Sequence, residues 1–172
     1  MNDSVPALPA GSPTSTPSNA PGDGGRAQVY LHAGDLVVAS KPTAIVTILG
    51  SCVAVCLWDP GARVGGVNHY LLPFHVEREQ SPRFGSVAIP RLLEEVVAGG
   101  ADPRRLQAKI FGGASVIGAF SHGRRLGDDN AVLATESLHA LGIPVIEQDV
   151  GGTKGRKLVF HSDDGAAWIR LL

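Results

Sequence analysis

Cysteine is scarce in this 172-residue chain, where only Cys52 and Cys56 occur. Two cysteines four positions apart on one extended strand sit ~13 Å apart, too far for a disulfide. No second pair of ligands follows at a zinc-binding spacing, which removes the common structural zinc patterns. Two unpaired thiols suit a reducing compartment. Aromatic residues are sparse as well, at 5%. Neither sign of charge dominates, since 15 Lys and Arg against 16 Asp and Glu leave a formal net charge of −1. A chain so balanced lacks the overall basic character that nucleic acid or an anionic membrane selects. No apolar run is long enough to span a bilayer. The opening Met1-Asn2-Asp3-Ser4 has neither the basic flank nor the apolar core of a secretory signal. These absences lead us to expect a soluble cytoplasmic protein, with no nucleic-acid partner and no direct membrane insertion.

Glycine, by contrast, is abundant at 22 residues, as many tight turns between short strands require. Residues 1–25 hold five of the twelve prolines and no aromatic residue. Such a segment cannot bury enough apolar surface to offset its ordering entropy, so a disordered tail is expected there. Residues 26–172 then form a single domain large enough for a substantial core. Strands are expected over 28–32, 36–39, 44–49, 53–58, 64–72, 109–111, 144–148, 157–160 and 167–171. Ile89, Leu92, Leu93, Val96 and Val97 recur at helical spacing and Gly99-Gly100 follows, which predicts a helix over 86–97 with Pro90 in its first turn. A second helix is expected over 130–141, with Val132, Leu133, Leu138 and Leu141 on its apolar face. This mixture predicts an α+β fold of mixed, largely antiparallel β layers with two main helices.

The chemistry concentrates at Gly50-Ser51-Cys52, between the apolar runs 44–49 and 53–58. Small residues permit a sharp bend and the close approach of a substrate, and they deliver a thiol to the rim of a sheet. A buried cysteine packing as a small hydrophobe is the plain alternative, and it is the reading for Cys56 between Val55 and Leu57. Downstream, His69 stands inside the strand-like run Gly66-Val67-Asn68-His69-Tyr70. A thiol and an imidazole on adjacent elements are the minimal set for cysteine nucleophilic catalysis. A histidine merely satisfied at a strand end is the competing reading. Thr47 is an ordinary strand residue, whose hydroxyl could fix an imidazole tautomer as the third member of a triad does. His32, His75, His122, His139 and His161 read as surface residues. Gly151-Gly152-Thr153-Lys154-Gly155-Arg156-Lys157 fails the spacing of a phosphate-binding loop and precedes a strand, so a hairpin turn with exposed basic side chains is expected.

Four segments together resemble one family. They are Thr47 to Leu57, Gly66 to Pro73, Ala108 to Ala114 and Asp149 to Lys157, and their order and spacing are similar to those of the bacterial chemoreceptor glutamine deamidases, the CheD family. The resemblance runs over roughly residues 28–171. It departs from the usual pattern at Ile89, at Ser115-Val116 and at Asp129, which stands where an arginine is common. The resemblance implies a Cys-His-Thr site, here Cys52, His69 and Thr47, on an architecture related to bacterial toxin deamidases. It implies hydrolysis of particular glutamine side chains to glutamate, with release of ammonia through a cysteine thioester and without metal or organic cofactor. The substrate it implies is the helical cytoplasmic domain of methyl-accepting chemotaxis receptors, and the role is chemotaxis adaptation. Methylesterase activity is a plausible side reaction, and a CheC-type chemotaxis phosphatase is a possible partner. A monomer is expected. The competing classes are a non-catalytic adaptor that binds receptors or the phosphatase, and a cysteine hydrolase of another specificity.

Overall fold

The computed structural model describes residues 24–75, 79–115 and 126–172. Almost all of the tail expected over residues 1–25, and His122, lie outside the described residues. The chain order is β1 (Ala27–Tyr30), β2 (Leu36–Ala39), β3 (Thr43–Leu49), β4 (Val53–Asp59), β5 (Val64–Asn68), α1 (Gly85–Ala98), β6 (Gln107–Gly112), α2 (Leu126–Ala140), β7 (Val145–Val150), β8 (Arg156–His161) and β9 (Ala167–Leu171). A short 3₁₀ turn, Pro103–Arg105, precedes β6.

The strands divide into a four-stranded sheet, β1-β3-β8-β9, and a five-stranded sheet, β2-β5-β4-β6-β7. Among the ladders between these strands of the described residues, β1–β3 and β6–β7 are parallel and the other five are antiparallel. The fold is therefore α+β with mixed, largely antiparallel sheets.

Side-chain alternation along β4 explains the layering. Val53, Val55 and Leu57 face the helices, packing with Ala88, Ile89, Leu92 and Val96 of α1 and Leu133, Ala134 and Leu138 of α2. Ala54 and Cys56 face the other sheet, packing with Val67, Phe111, Ile45 and Leu49 of β3, and Leu158 and Phe160 of β8. Burial on both faces is why β4 reads as a continuous apolar run. Each fully buried Leu, Ile or Phe in these two clusters contributes about 1.5–3 kcal/mol. Three layers result: helices, five-stranded sheet, four-stranded sheet.

Several sequence expectations shift. Because α1 starts at Gly85, Pro90 falls in its second turn, inside the helix, where it removes the bond to the Ser86 carbonyl. α2 begins a turn earlier than residue 130, and Val132 and Leu141 are exposed while Gly127, Asn130 and Ala134 are buried. The reason is close approach: a Cβ at Gly127 would run into the Gly113 carbonyl, so the first turn of α2 lies directly against the chain leaving β6. Residues 151–155 do not form a hairpin turn. They carry the chain from β7 in one sheet to β8 in the other, and Arg156 is buried. His161 is buried too, 4.3 Å from the Trp168 ring, rather than on the surface. His32, His75 and His139 are exposed as expected.

Candidate active site

Residues 50–52 link β3 to β4, which belong to different sheets. The Gly-Ser-Cys turn is thus a crossing between layers and not a hairpin. Its carbonyls are all held. Ala114 N–H donates to Gly50 at 2.8 Å, Asn130 Nδ2 to Ser51 at 3.0 Å, and Gly113 N–H to Cys52 at 2.8 Å. The end of β6 is fixed in turn by Arg156, whose guanidinium donates to the carbonyls of Gly112 and Gly151 and pairs with Asp149.

His69 lies immediately beyond β5. Asn68 Oδ1 accepts from Val55 N–H at 2.9 Å in place of a ladder bond. The backbone of His69 turns to the β2 side, accepting from Gly34 and donating to Asp35. Pairing with β4 resumes at Val53 and Tyr70, bonded in both directions at 3.1 and 3.0 Å. This continues the register in which Cys56 faces Val67. It sets Ala54 across from His69, with Cys52 one diagonal step away. By alternation, Cys52 and His69 share the face that looks toward the four-stranded sheet. Diagonal neighbours of this kind lie roughly 7–8 Å apart, within reach of longer side chains.

Thr47 comes from the opposite sheet. Between Ile45 and Leu49 on β3, it faces the same inter-sheet space. Its Oγ1 lies 2.8 Å from the Leu31 carbonyl oxygen and 2.8 Å from His69 Nδ1. A hydroxyl has one proton, and a carbonyl can only accept. The Thr47 hydroxyl therefore donates to Leu31, and His69 Nδ1–H donates to Thr47. That fixes the tautomer and leaves Nε2 unprotonated. Nε2 is buried and makes no hydrogen bond among the described residues, to Cys52 or to any other group.

Burial lowers the His69 pKa to about 4, with the Leu31 carbonyl and the Asp35 carboxylate offsetting part of the effect. Burial raises the Cys52 thiol, and its own backbone N–H opposes the rise. Near neutral pH, Cys52 is a thiol and His69 a neutral imidazole. Cys56 is fully buried, and its thiol is pushed well above the ordinary range by burial. Among the described residues, no three His, Cys, Asp or Glu side chains gather in a way that could hold a metal ion.

Thr47 and His69 are thus in direct contact, and Cys52 lies on the same face by register, one diagonal step from His69. Two supporting residues escape sequence reading, Asn130 and Arg156. Asn130 is fully buried, with Nδ2 donating to the Ser51 and Leu71 carbonyls and its backbone carbonyl accepting from Tyr70 Oη. The signal that could have found it is its spacing with Gly127, Leu133, Ala134 and Leu138, which puts an amide on an otherwise apolar helix face.

The family model for CheD chemotactic sensory transduction matches residues 71–171. A protein of Anaeromyxobacter dehalogenans named probable chemoreceptor glutamine deamidase CheD 1 is 68% identical over 152 residues, covering 88% of this chain and 89% of the relative. A probable chemoreceptor glutamine deamidase CheD of Sulfurimonas denitrificans is 40% identical, covering 83% of this chain and 93% of the relative. One from Rhodospirillum rubrum is 39% identical, covering 83% and 81%. With the family model spanning more than half of it and relatives covering most of it, this chain belongs to the CheD family.

Proposed function

We propose that this chain is a chemoreceptor glutamine deamidase in which Cys52 is the nucleophile, His69 the general base and acid, and Thr47 the residue that orients His69. The observation that carries the reading is the Thr47–His69 hydrogen bond, which leaves Nε2 unprotonated on the face shared with Cys52. The names of the relatives supply the substrate class.

The chemistry follows from a neutral resting pair. As Cys52 Sγ attacks the carboxamide carbon of a glutamine, the thiol proton passes to His69 Nε2. Catalytic hydrogen bonds are often long before substrate binds and tighten in the complex. The carbonyl oxygen becomes an oxyanion. His69 then returns the proton to the leaving nitrogen, ammonia departs, and a thioester to Cys52 remains. Nε2 next takes a proton from water. Hydroxide adds to the thioester carbon, the C–S bond breaks, and Cys52 leaves with the proton held on His69. The product is glutamate. A glutamyl methyl ester would enter the same sequence with methanol as leaving group.

Each turnover replaces a neutral amide with a carboxylate on a receptor helix, which alters charge repulsion in the receptor and creates a methylatable group. That is the basis of the adaptation role. The cytoplasmic placement of such a substrate puts the enzyme in the cytoplasm. No helix among the described residues is long and apolar enough to cross a membrane.

The test is to incubate the protein, and a Cys52→Ala variant, with a receptor cytoplasmic fragment and to follow its glutamines by mass spectrometry. Glutamate formed only with Cys52 present is the expected result. Receptor binding with unchanged glutamines would replace the enzyme by an adaptor.

A further inference from the structure

We infer that Asn130 is a positioning residue that orients the Ser51–Cys52 peptide, so that the Cys52 backbone N–H stands beside the thiol as a donor to the oxyanion. The inference rests on the deamidase reading and deepens it.

Asn130 is fully buried on α2, among the residues that pack on the helix side of the five-stranded sheet. Its Nδ2 donates to the Ser51 carbonyl at 3.0 Å and to the Leu71 carbonyl at 2.9 Å. Two acceptors demand two protons, and only the amide nitrogen of the side chain has them, so the orientation of the group is settled. These bonds grip the chain on both sides of the candidate pair, one residue before Cys52 and two after His69. Tyr70 donates Oη–H to the backbone carbonyl of Asn130 at 2.5 Å, which ties this turn of α2 to the residue after His69.

The consequence lies in the peptide plane. The Ser51 carbonyl points toward α2, and in a trans peptide the N–H of Cys52 points the opposite way. The opposite way is the inter-sheet side, where the Cys52 side chain packs. Among the described residues, that N–H donates to no other residue. It lies close enough to its own sulfur to pull the thiol pKa down against burial. The Gly50 carbonyl is held by Ala114 N–H, so the Ser51 N–H is fixed by the same logic. A donor set in place before reaction, aimed at the side where negative charge develops, is what lowers the barrier of acyl transfer. Without the amide of Asn130, the Ser51 carbonyl loses its donor, and the Ser51–Cys52 peptide plane is held only indirectly, through its neighbours at Gly50 and Cys52.

The experiment compares Asn130→Ala and Asn130→Asp with the unsubstituted protein. Asn130→Asp keeps the side-chain volume but has no amide protons, and it serves if the alanine variant does not fold. Two rates are read at pH 7: deamidation of a receptor cytoplasmic fragment, and alkylation of Cys52 by iodoacetamide. Alkylation breaks a C–I bond at a saturated carbon and builds no oxyanion, so it reports the thiol and its access alone. The expected result is a kcat for deamidation lowered about 10- to 100-fold with KM changed by less than about twofold, and an alkylation rate within about twofold of the unsubstituted protein. An unchanged kcat in both variants overturns the inference and leaves the deamidase reading standing. Deamidation and alkylation falling together in both variants overturns it as well, since Asn130 would then only hold the loop folded. An unsubstituted protein that forms no glutamate overturns the deamidase reading, and this inference with it.

Discussion

Cys52 and Cys56 point to the same side of the five-stranded sheet, yet they occupy different environments. Cys52 is partly exposed at the sheet rim and Cys56 is sealed between the layers. The thiolate is the reactive form; burial raises both thiols, and it pushes that of the fully buried Cys56 well above the ordinary range. Iodoacetamide should therefore add once to the folded protein, at Cys52. The second adduct, on Cys56, should appear only after unfolding in guanidinium. Peptide mass spectrometry with and without denaturant checks this. Equal labelling of both cysteines in the folded protein would contradict the layering around Cys56.

Thr47 has two partners and one proton, which makes its hydroxyl hard to replace. Thr47→Val keeps the shape and leaves the Leu31 carbonyl and His69 Nδ1–H without partners in a buried space. The expected cost is about 1–3 kcal/mol of stability. Freed of its tautomer, His69 should lose about 10- to 100-fold in kcat, less than the 10²–10⁴-fold that a general base is worth in full. Thr47→Ser should restore most of the rate, because it returns the hydroxyl. Steady-state kinetics on a receptor fragment and urea unfolding of the three proteins measure both effects. A fully active Thr47→Val would remove Thr47 from the site.

Acid should act on His69 in two ways. Its ordinary pKa of 6.5 is lowered to about 4 in the fold, chiefly by burial. Between those values the unfolded chain binds a proton that the folded protein does not, so stability falls as pH falls. This contribution is fully present above pH 6.5, declines by about 1.4 kcal/mol per pH unit below it, and levels off near pH 4 after a total loss of about 3 kcal/mol. Urea unfolding at pH 7 and pH 5 should show a decline of about 2 kcal/mol that His69→Gln lacks. Catalysis needs Nε2 unprotonated, so the acid limb of kcat/KM in the free enzyme should fall near pH 4 instead of near 6.5. An acid limb at 6.5 would mean that His69 is solvated in the working enzyme.

The legible parts of the molecule were those written in local chemistry. Gly50-Ser51-Cys52 stood out because small residues interrupt two apolar runs, and α1 because its apolar residues keep a helical period up to Gly99. What stayed hidden depends on contacts far apart in the chain. That β3 and β4 belong to different sheets is one such feature, since apolar strands read alike whichever sheet they join. Thr47 is unremarkable until its partner, 22 positions away, comes across from the other sheet. Asn130 and Arg156 are polar side chains of kinds usually found at the surface. They are buried because backbone carbonyls at Ser51, Leu71, Gly112 and Gly151 need donors, and no local pattern announces that need.

Gly112 offers a test of how tightly the end of β6 supports the candidate nucleophile. It has φ +114°, and a Cβ there would collide with the carbonyl oxygen of Cys52. Gly100 has a similar φ, +109°, with nothing within 4 Å of the corresponding position. The two glycines therefore separate backbone strain from collision. Gly100→Ala should cost about 1–3 kcal/mol through strain alone and leave Cys52 chemistry unchanged. Gly112→Ala bears the same strain, and β6 must also move away from Cys52, loosening the bond from Gly113 N–H that holds the Cys52 carbonyl. Thermal unfolding should show the larger loss for Gly112→Ala, and only that variant should change the rate of Cys52 alkylation. Equal losses in the two variants, with alkylation untouched in both, would mean that the Cys52 turn does not depend on its contact with β6.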